Sequence, residues 1–384
     1  MTAKQINTEV FFDNLRDQGI SFFSGVPDSL LKQFCACVAD RSQPTEHIIA
    51  ANEGSAVAVA MGRQIGSGDL PLVYMQNSGL GNAINPILSL TDEMVYGIPM
   101  LLMIGWRGEI LENGAQISDE PQHRKQGLVT LPMLDAMDIP FEIIEKNTNA
   151  AIQQATRLIL KARSESKPVA MIVRRDSFTG YSHAKPQIHW RAELTREQTI
   201  DEVIKCLPAS AVLVATTGMA SRELYELRES KAETHMRDFL TVGGMGHASQ
   251  IALGLAMARP DLRVVCLDGD GAFLMHMGSV PFAAMQPNLT HIVLNNGCHD
   301  SVGGQPTLAR ELNLAKIAKS CGYRLSSRVS KMAKIKEAIN SGIQSDGNSF
   351  IEILCKAGHR DDIGRPKDAP AENKNRFINF LRST

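Results

Sequence analysis

Short apolar runs alternate with amphipathic stretches along most of this chain. In its first half the runs Phe22–Phe23, Ile48–Ala51, Leu72–Gln76, Met100–Ile104, Phe141–Ile144 and Val169–Val173 are too brief for buried helices and predict strands. Between them, apolar residues three and four apart predict helices near Ile6–Leu15, Ser29–Ala39, Ser55–Gln64, Asn82–Leu90, Leu131–Met137 and Ala150–Lys161. Near-continuously apolar strands joined by helical crossovers make a parallel sheet covered on both faces.

The rhythm stops from Arg174 to Arg196, where Gly180, Tyr181, His183, Pro186, His189 and Trp190 follow no apolar period and predict a linker. It resumes with strands at Ala211–Ala215, Phe239–Val242, Val264–Leu267, His291–Leu294, a weak one near Tyr323–Leu325, and Phe350–Leu354. The expected fold class is therefore α/β, two doubly wound parallel-sheet domains at 1–178 and 196–384 with a linker at 179–195. After Ala357 the chain is polar, but Phe377, Ile378, Phe380 and Leu381 predict a final helix that docks.

Composition narrows the class. The 384 residues are 43% hydrophobic with a formal charge of −1, enough for two cored domains and unfavourable to nucleic acid or an anionic membrane as partner. Seven cysteines without a Cys-x-x-Cys pair predict reduced thiols and a cytoplasmic setting. The first nine residues hold no hydrophobic signal core, and the most apolar window, Ile98–Ile104, is too short to span a bilayer.

The chemistry concentrates between Cys266 and Asn296. One apolar run stops at Asp268-Gly269-Asp270-Gly271-Ala272, the next stops at Asn295-Asn296, and one helix over Phe273–Met285 is expected to join them. A parallel βαβ unit brings both polar clusters to neighbouring strand ends, where such sheets bind ligands. A carboxylate, an amide oxygen and glycine amides suit a hard divalent cation that also holds a phosphate. Gly243-Gly244-Met245-Gly246-His247 follows another strand, and with Asp268 it imitates a dinucleotide fingerprint, which keeps an NAD-dependent oxidoreductase open as an alternative. Glu53 also stands at a strand end, either as a partly desolvated carboxylate able to share a proton or as a plain helix N-terminal acid.

Gly269-Asp270-Gly271 with Asn295-Asn296 resembles the paired metal motif of thiamin-diphosphate (ThDP) enzymes, and Ala51-Asn-Glu53-Gly-Ser-Ala is similar to their activating-glutamate segment. Across nearly the full length, Ser24-Gly-Val-Pro-Asp-Ser29, Gln76-Asn-Ser-Gly-Leu-Gly-Asn82, Asp119-Glu-Pro-Gln-His-Arg-Lys-Gln-Gly127, Gly244-Met-Gly-His-Ala248 and Asn295-Asn-Gly-Cys-His-Asp-Ser-Val-Gly-Gly-Gln-Pro-Thr307 resemble the phosphonopyruvate and sulfopyruvate decarboxylase family. The resemblance implies the ThDP-binding fold, with a pyrimidine-binding (Pyr) domain, then a diphosphate-binding (PP) domain, and no middle domain. It implies ThDP and Mg²⁺ as cofactors, with Asp270, Asn296 and the carbonyl of Cys298 on the metal. It also implies decarboxylation of 3-phosphonopyruvate in phosphonate biosynthesis, or of sulfopyruvate as the alternative.

Other positions follow from the same resemblance. Glu53 would relay a proton to the cofactor. Asn77, Ser78 and Gly79 would lie beside its pyrimidine, or form only a strand–helix turn. Gly218 and Met219 would wedge beneath it, or Met219 would fill a core gap. Gly244, Met245, Gly246 and His247 would cradle the diphosphate. Arg107, His123, Arg124 and Lys125, on a long loop after Ile104, have the chemistry to suit a dianionic phosphonate, or form only a solvated basic loop. Asp28 would protonate the carbanion left by CO₂ or serve as the N-cap of the helix after it; His299 and Gln305 would reach the substrate. A homodimer or homotetramer with intersubunit active sites is implied.

Overall fold

A computed structural model describes residues 5–182 and 192–384. The chain divides into two compact units, Met1–Gln187 and Ile188–Thr384. His183, Pro186, His189 and Trp190 of the expected linker lie outside the described residues, whereas Gly180 and Tyr181 are within them. Tyr181 belongs to the first unit's packing, where its hydroxyl donates to Asp40 at 2.8 Å.

The first unit holds strands β1 (Ile20–Gly25), β2 (His47–Ile49), β3 (Leu70–Gln76), β4 (Met100–Gly105), β5 (Phe141–Ile143) and β6 (Pro168–Val173). All are parallel, in the order β2-β1-β3-β4-β6-β5. Consecutive residues point to opposite faces, and both faces are covered. Phe23, Leu72, Tyr74, Met103 and Met171 enter one apolar cluster, while Val73, Met75, Leu102, Ile104 and Ile172 enter another.

The second unit holds β7 (Val212–Ala215), β8 (Asp238–Leu240), β9 (Val264–Gly269), β10 (Leu289–Asn295), the short antiparallel hairpin β11 (Cys298–His299) and β12 (Gln305–Pro306), then β13 (Leu325–Val329) and β14 (Ser349–Leu354). Its main sheet runs β13-β14-β10-β9-β7-β8, all parallel. Counted from each unit's first main-sheet strand, the two orders are the same. In both, the chain reverses its direction of travel across the sheet beside the first strand, the crevice in which open α/β sheets take ligands.

Several elements differ from the sequence expectation. The second helix begins at Lys32 rather than Ser29, because Asp28 closes its own tight turn by accepting from Leu30 N at 3.0 Å. Residues 121–130, expected in a loop, open a helix over Pro121–Ala136, so His123, Arg124 and Lys125 occupy its first turns. The stretch after Asn77 is a 3₁₀ turn (Asn77–Gly79), an α-helix (Leu80–Pro86) and a π-helical turn (Ile87–Thr91). No single helix joins β9 to β10: Asp270–Met275 ends at His276, and a 3₁₀ turn precedes the short helix Val280–Ala283, with Pro281 in its first turn.

The terminal helix forms as expected, over Pro370–Ser383. Phe377 is buried, and the Asn373 amide bonds both Leu240 N and Asp238 O, covering edge strand β8. All seven cysteines are free thiols, and no helix among the described residues is long and apolar enough to cross a membrane.

Candidate active site

In the first unit, four strand ends carry the candidate residues. After β2, Asn52 turns extended and its side chain accepts from Ser55 N at 2.9 Å, capping the helix that Glu53 opens. Glu53 is 6% exposed, and its Oε2 accepts from Asn82 Nδ2 at 2.9 Å. Gly79 lies so close that a Cβ there would stand 2.2 Å from Glu53 Oε1. The turn after β3 thus fixes the glutamate through Asn82, a partner drawn from the motif segment but not expected to touch it.

Asn77 itself faces inward. Its Nδ2 donates to Arg107 O and Thr130 Oγ1, both at 2.9 Å, and its Oδ1 accepts from Arg107 N at 3.2 Å. This amide ties the end of β3 to the loop after β4. Ser78 is partly exposed and accepts from Gln76 Nε2.

Asp28, after β1, is 1% exposed and its Oδ1 is buried with no hydrogen-bond partner. Burial raises its pKa to about 6, against the Leu30 amide and the Arg107 charge that pull it down. Position 105 must be glycine, since a Cβ would lie 2.0 Å from Asp28 Oδ2. The Arg107 guanidinium forks onto Asp119, with Nε at 2.8 Å from Oδ2 and Nη2 on Oδ1, while Nη1 reaches Ser29 Oγ at 3.1 Å. His123 is buried and its imidazole is pushed down by burial and by the Arg107 charge. Arg124 and Lys125 are exposed on their helix.

In the second unit, one cleft lies at the switch point between the ends of β7 and β9. Its lining includes Thr217, Met219, Met245, Asp270, Asn296 and Cys298. Gly218 takes a left-handed conformation (φ 93°) and Met219 opens the helix Met219–Ser230 behind it. Gly244 and Gly246 also have positive φ, and a Cβ on Gly246 would stand 2.5 Å from the His276 ring, so only glycine gives that turn. His247, beside them, is exposed. Gly269, Gly271 and Ala272 flank Asp270 at the end of β9.

The two asparagines after β10 separate cleanly. Asn295 is fully buried and donates to Glu352 at 2.7 Å while accepting from Gly297 N, so it holds the loop. Asn296 reaches the cleft. Its Oδ1 accepts from Cys298 N at 3.2 Å and its Nδ2 donates to Asp300 at 2.6 Å. Asp270 is 2% exposed, and burial raises its pKa to about 7 although the Thr307 hydroxyl and the backbone of Asp270 and Asn296 donate to it. The groups that hold this carboxylate are hydrogen-bond donors rather than cations. Thr307, Asp300 and Asn82 were not singled out from the sequence, because nothing local distinguishes them before the loops close.

His299 stands against Gly271 and burial pushes it down to about 4, so it is neutral near pH 7. Gln305 is 3% exposed with both amide atoms unpartnered among the described residues. Asp268, the acid of the imitated dinucleotide fingerprint, is 1% exposed, accepts from Gly269 N at 3.0 Å and faces His291 Nε2 at 3.3 Å. Turned into the core, it is closed to a ribose, which removes the physical basis of the oxidoreductase alternative.

Comparison with known proteins agrees with this geometry. The family described as "Thiamine pyrophosphate enzyme, N-terminal TPP binding domain" matches residues 7–129, and "Thiamine pyrophosphate enzyme, C-terminal TPP binding domain" matches residues 216–353. Phosphonopyruvate decarboxylase of Streptomyces viridochromogenes is 34% identical over 94% of this chain and 92% of its own. Its counterpart in Streptomyces hygroscopicus is 34% identical over 94% of this chain and 90% of its own. Sulfopyruvate decarboxylase of Methanosarcina acetivorans is 26% identical over 97% of both chains. The similarity runs through both units and through the loops bearing Glu53, Asp270 and Asn296, and the chain belongs to the thiamine pyrophosphate enzymes, in the phosphonopyruvate decarboxylase family.

Proposed function

We propose that this enzyme converts 3-phosphonopyruvate to phosphonoacetaldehyde and CO₂, with ThDP and Mg²⁺ as cofactors. The observation that carries the proposal is the buried Asp270 carboxylate beside Asn296 at a sheet switch point, in a chain similar along its whole length to phosphonopyruvate decarboxylases. A carboxylate so enclosed, met only by hydrogen-bond donors, is completed by a hard cation. Asp270, Asn296 Oδ1 and the Cys298 carbonyl would hold it. The Cys298 thiol is no competitor, because burial pushes its pKa up and it donates to Asp300 at 3.0 Å. Gly244, Met245, Gly246, His247 and the Gly269–Ala272 turn would receive the diphosphate.

When bound, ThDP supplies the electron sink that a 2-keto acid needs to lose CO₂. The chain's own residues supply orientation and proton control. Glu53 would exchange a proton through Oε1, since Oε2 accepts from Asn82. Asp28, with a pKa near 6, is suited to hold and release a proton at Oδ1 near neutral pH. Arg107, bent over Ser29, offers its remaining N–H groups to the phosphonate, with His123 beside it; Lys125 adds long-range attraction from the exposed helix. The unsatisfied Gln305 amide supports a role for it and His299 in contacting substrate.

The reading includes a homodimer or homotetramer in which Glu53 and Asp270 of different copies serve one site. Exposed apolar side chains in each unit, Met94 (90%) and Tyr96 (64%) in the first and Met285 (72%) and Met257 (62%) in the second, favour burial against further protein. Free thiols throughout support a cytoplasmic setting. CO₂ release should be compared with phosphonopyruvate, sulfopyruvate and pyruvate, with and without ThDP and Mg²⁺. Preference for phosphonopyruvate that depends on both cofactors is expected. Preference for sulfopyruvate would transfer the assignment to the sulfonate, and release without ThDP would end it.

A further inference from the structure

Behind the Asn296–Cys298 turn lies a buried array of charges that the reaction itself does not require. Arg196, the first residue of the helix Arg196–Cys206, is 5% exposed. Its Nε and Nη2 grip Glu223 at 2.7 and 2.8 Å, and its Nη1 reaches Asp300 at 2.6 Å. Asp300 is saturated. Besides Arg196 it accepts from Asn296 Nδ2 at 2.6 Å, from Cys298 Sγ at 3.0 Å, and from Gly358 N at 3.0 and 3.1 Å.

Arg196, Cys298 and Gly358 all donate to Asp300, so both of its oxygens act as acceptors. Asp300 therefore selects the NH₂ end of the Asn296 amide, and the Cys298 N–H selects the oxygen end. The opposite orientation would set oxygen against carboxylate and NH₂ against N–H. Both neighbours thus enforce one orientation, in which Asn296 Oδ1 keeps a lone pair beyond the one used by Cys298. We propose that Asp300, anchored by the Glu223–Arg196 pair, is a positioning residue that fixes the Asn296 amide with its oxygen available to the divalent cation, and so sets cation affinity. The inference rests on the cation reading of Asp270 and Asn296. Outer partners of this kind orient ligands and typically control affinity by roughly 10- to 100-fold.

The test is a Mg²⁺ titration at fixed ThDP, with ThDP binding followed by calorimetry on the full-length protein. Asp300→Asn keeps the shape but lets either end of the Asn296 amide face position 300. Its Mg²⁺ midpoint should rise by roughly 10- to 100-fold, with ThDP binding restored at saturating Mg²⁺. Arg196→Lys keeps the buried positive charge but cannot grip Glu223 and reach Asp300 together, so a smaller rise in the same direction is expected even if Asp300→Asn fails to fold. Wild-type midpoints in the folded variants would overturn the inference, as would ThDP binding that Mg²⁺ cannot restore. Asp270→Ala is run in parallel. An unchanged midpoint there would overturn the cation reading itself, whereas a large rise there with none in the array variants would overturn only the positioning role.

Discussion

Asp28 shows what burial does to one side chain. Its carboxyl binds a proton more tightly in the folded chain (pKa about 6) than at the ordinary value of 3.8. Its contribution to stability is therefore complete below about pH 3.8, is lost as the pH rises through about 6, and stays lost above. Asp28→Asn cannot ionise, so the fall in unfolding free energy between pH 4 and 7 should be smaller than wild type by about 2 kcal/mol, from urea unfolding at each pH. An unchanged fall would mean that Asp28 titrates as an ordinary acid. Glu53→Gln keeps the shape but cannot relay a proton, so turnover should drop by roughly 10²-fold or more while ThDP still binds; near-normal turnover would assign activation to another group. Glu53, Asp270 and Asn296 were legible in the sequence because each stands where an apolar run breaks. Their supporting residues were not. Thr307 meets Asp270 across 37 positions and Arg196 meets Asp300 across 104, and no spacing rule predicts such pairs.

At the scale of elements, the strands were read closely because a parallel sheet buried on both faces writes itself as continuous apolar runs. The helix Pro121–Ala136 was missed in its first ten residues. Its opening turns are polar, Gly127 and Pro132 lie within it, and its placement depends on contacts made elsewhere: Trp106 Nε1 donates to Gly127 O at 2.9 Å, and a Cβ on Gly127 would stand 1.9 Å from Gly108 O. Arg107 lies on the loop after β4 as expected, but Asp119, whose side chain is 2% exposed, holds its guanidinium. Arg107→Ala therefore does two things. It should lower kcat/KM for phosphonopyruvate, relative to pyruvate, by the equivalent of about 2–4 kcal/mol, and it should cost roughly 1–3 kcal/mol of stability, because Asp119 loses its forked partner and keeps only Gly108 N, Glu120 N and the more distant Arg175 at 3.8 Å. The double variant Arg107→Ala/Asp119→Ala should recover much of the stability but none of the substrate preference. Recovery of both would confine Arg107 to a structural role.

For the whole molecule, the decisive expectation is that two copies share each site. Glu53→Gln and Asp270→Ala proteins, each inactive, should regain part of the wild-type activity when mixed after reversible dissociation, because a mixed dimer contains one site with neither lesion. Mixed dimers that form but stay inactive would place Glu53 and Asp270 of one chain in the same site. Two domains of matching architecture could be read from the repeat of the strand rhythm, but strand order could not, because crossover direction leaves no periodic trace in the residues.

That shared strand order gives every functional loop a counterpart in the other half. Asn77 after the third strand of the first sheet corresponds to Asp270 after the third strand of the second, and Arg107 corresponds to Asn296 after the fourth strands. The chain thus resembles one blueprint used twice, with the lettering changed at each strand end: amide and guanidinium in one copy, carboxylate and amide in the other. A duplicated ancestor whose two copies divided the labour would leave this record. On the proposed assignment the cation's ligands come from one copy alone, whereas substrate contacts come from both, with Arg107 and His123 on the first and His299 and Gln305 on the second.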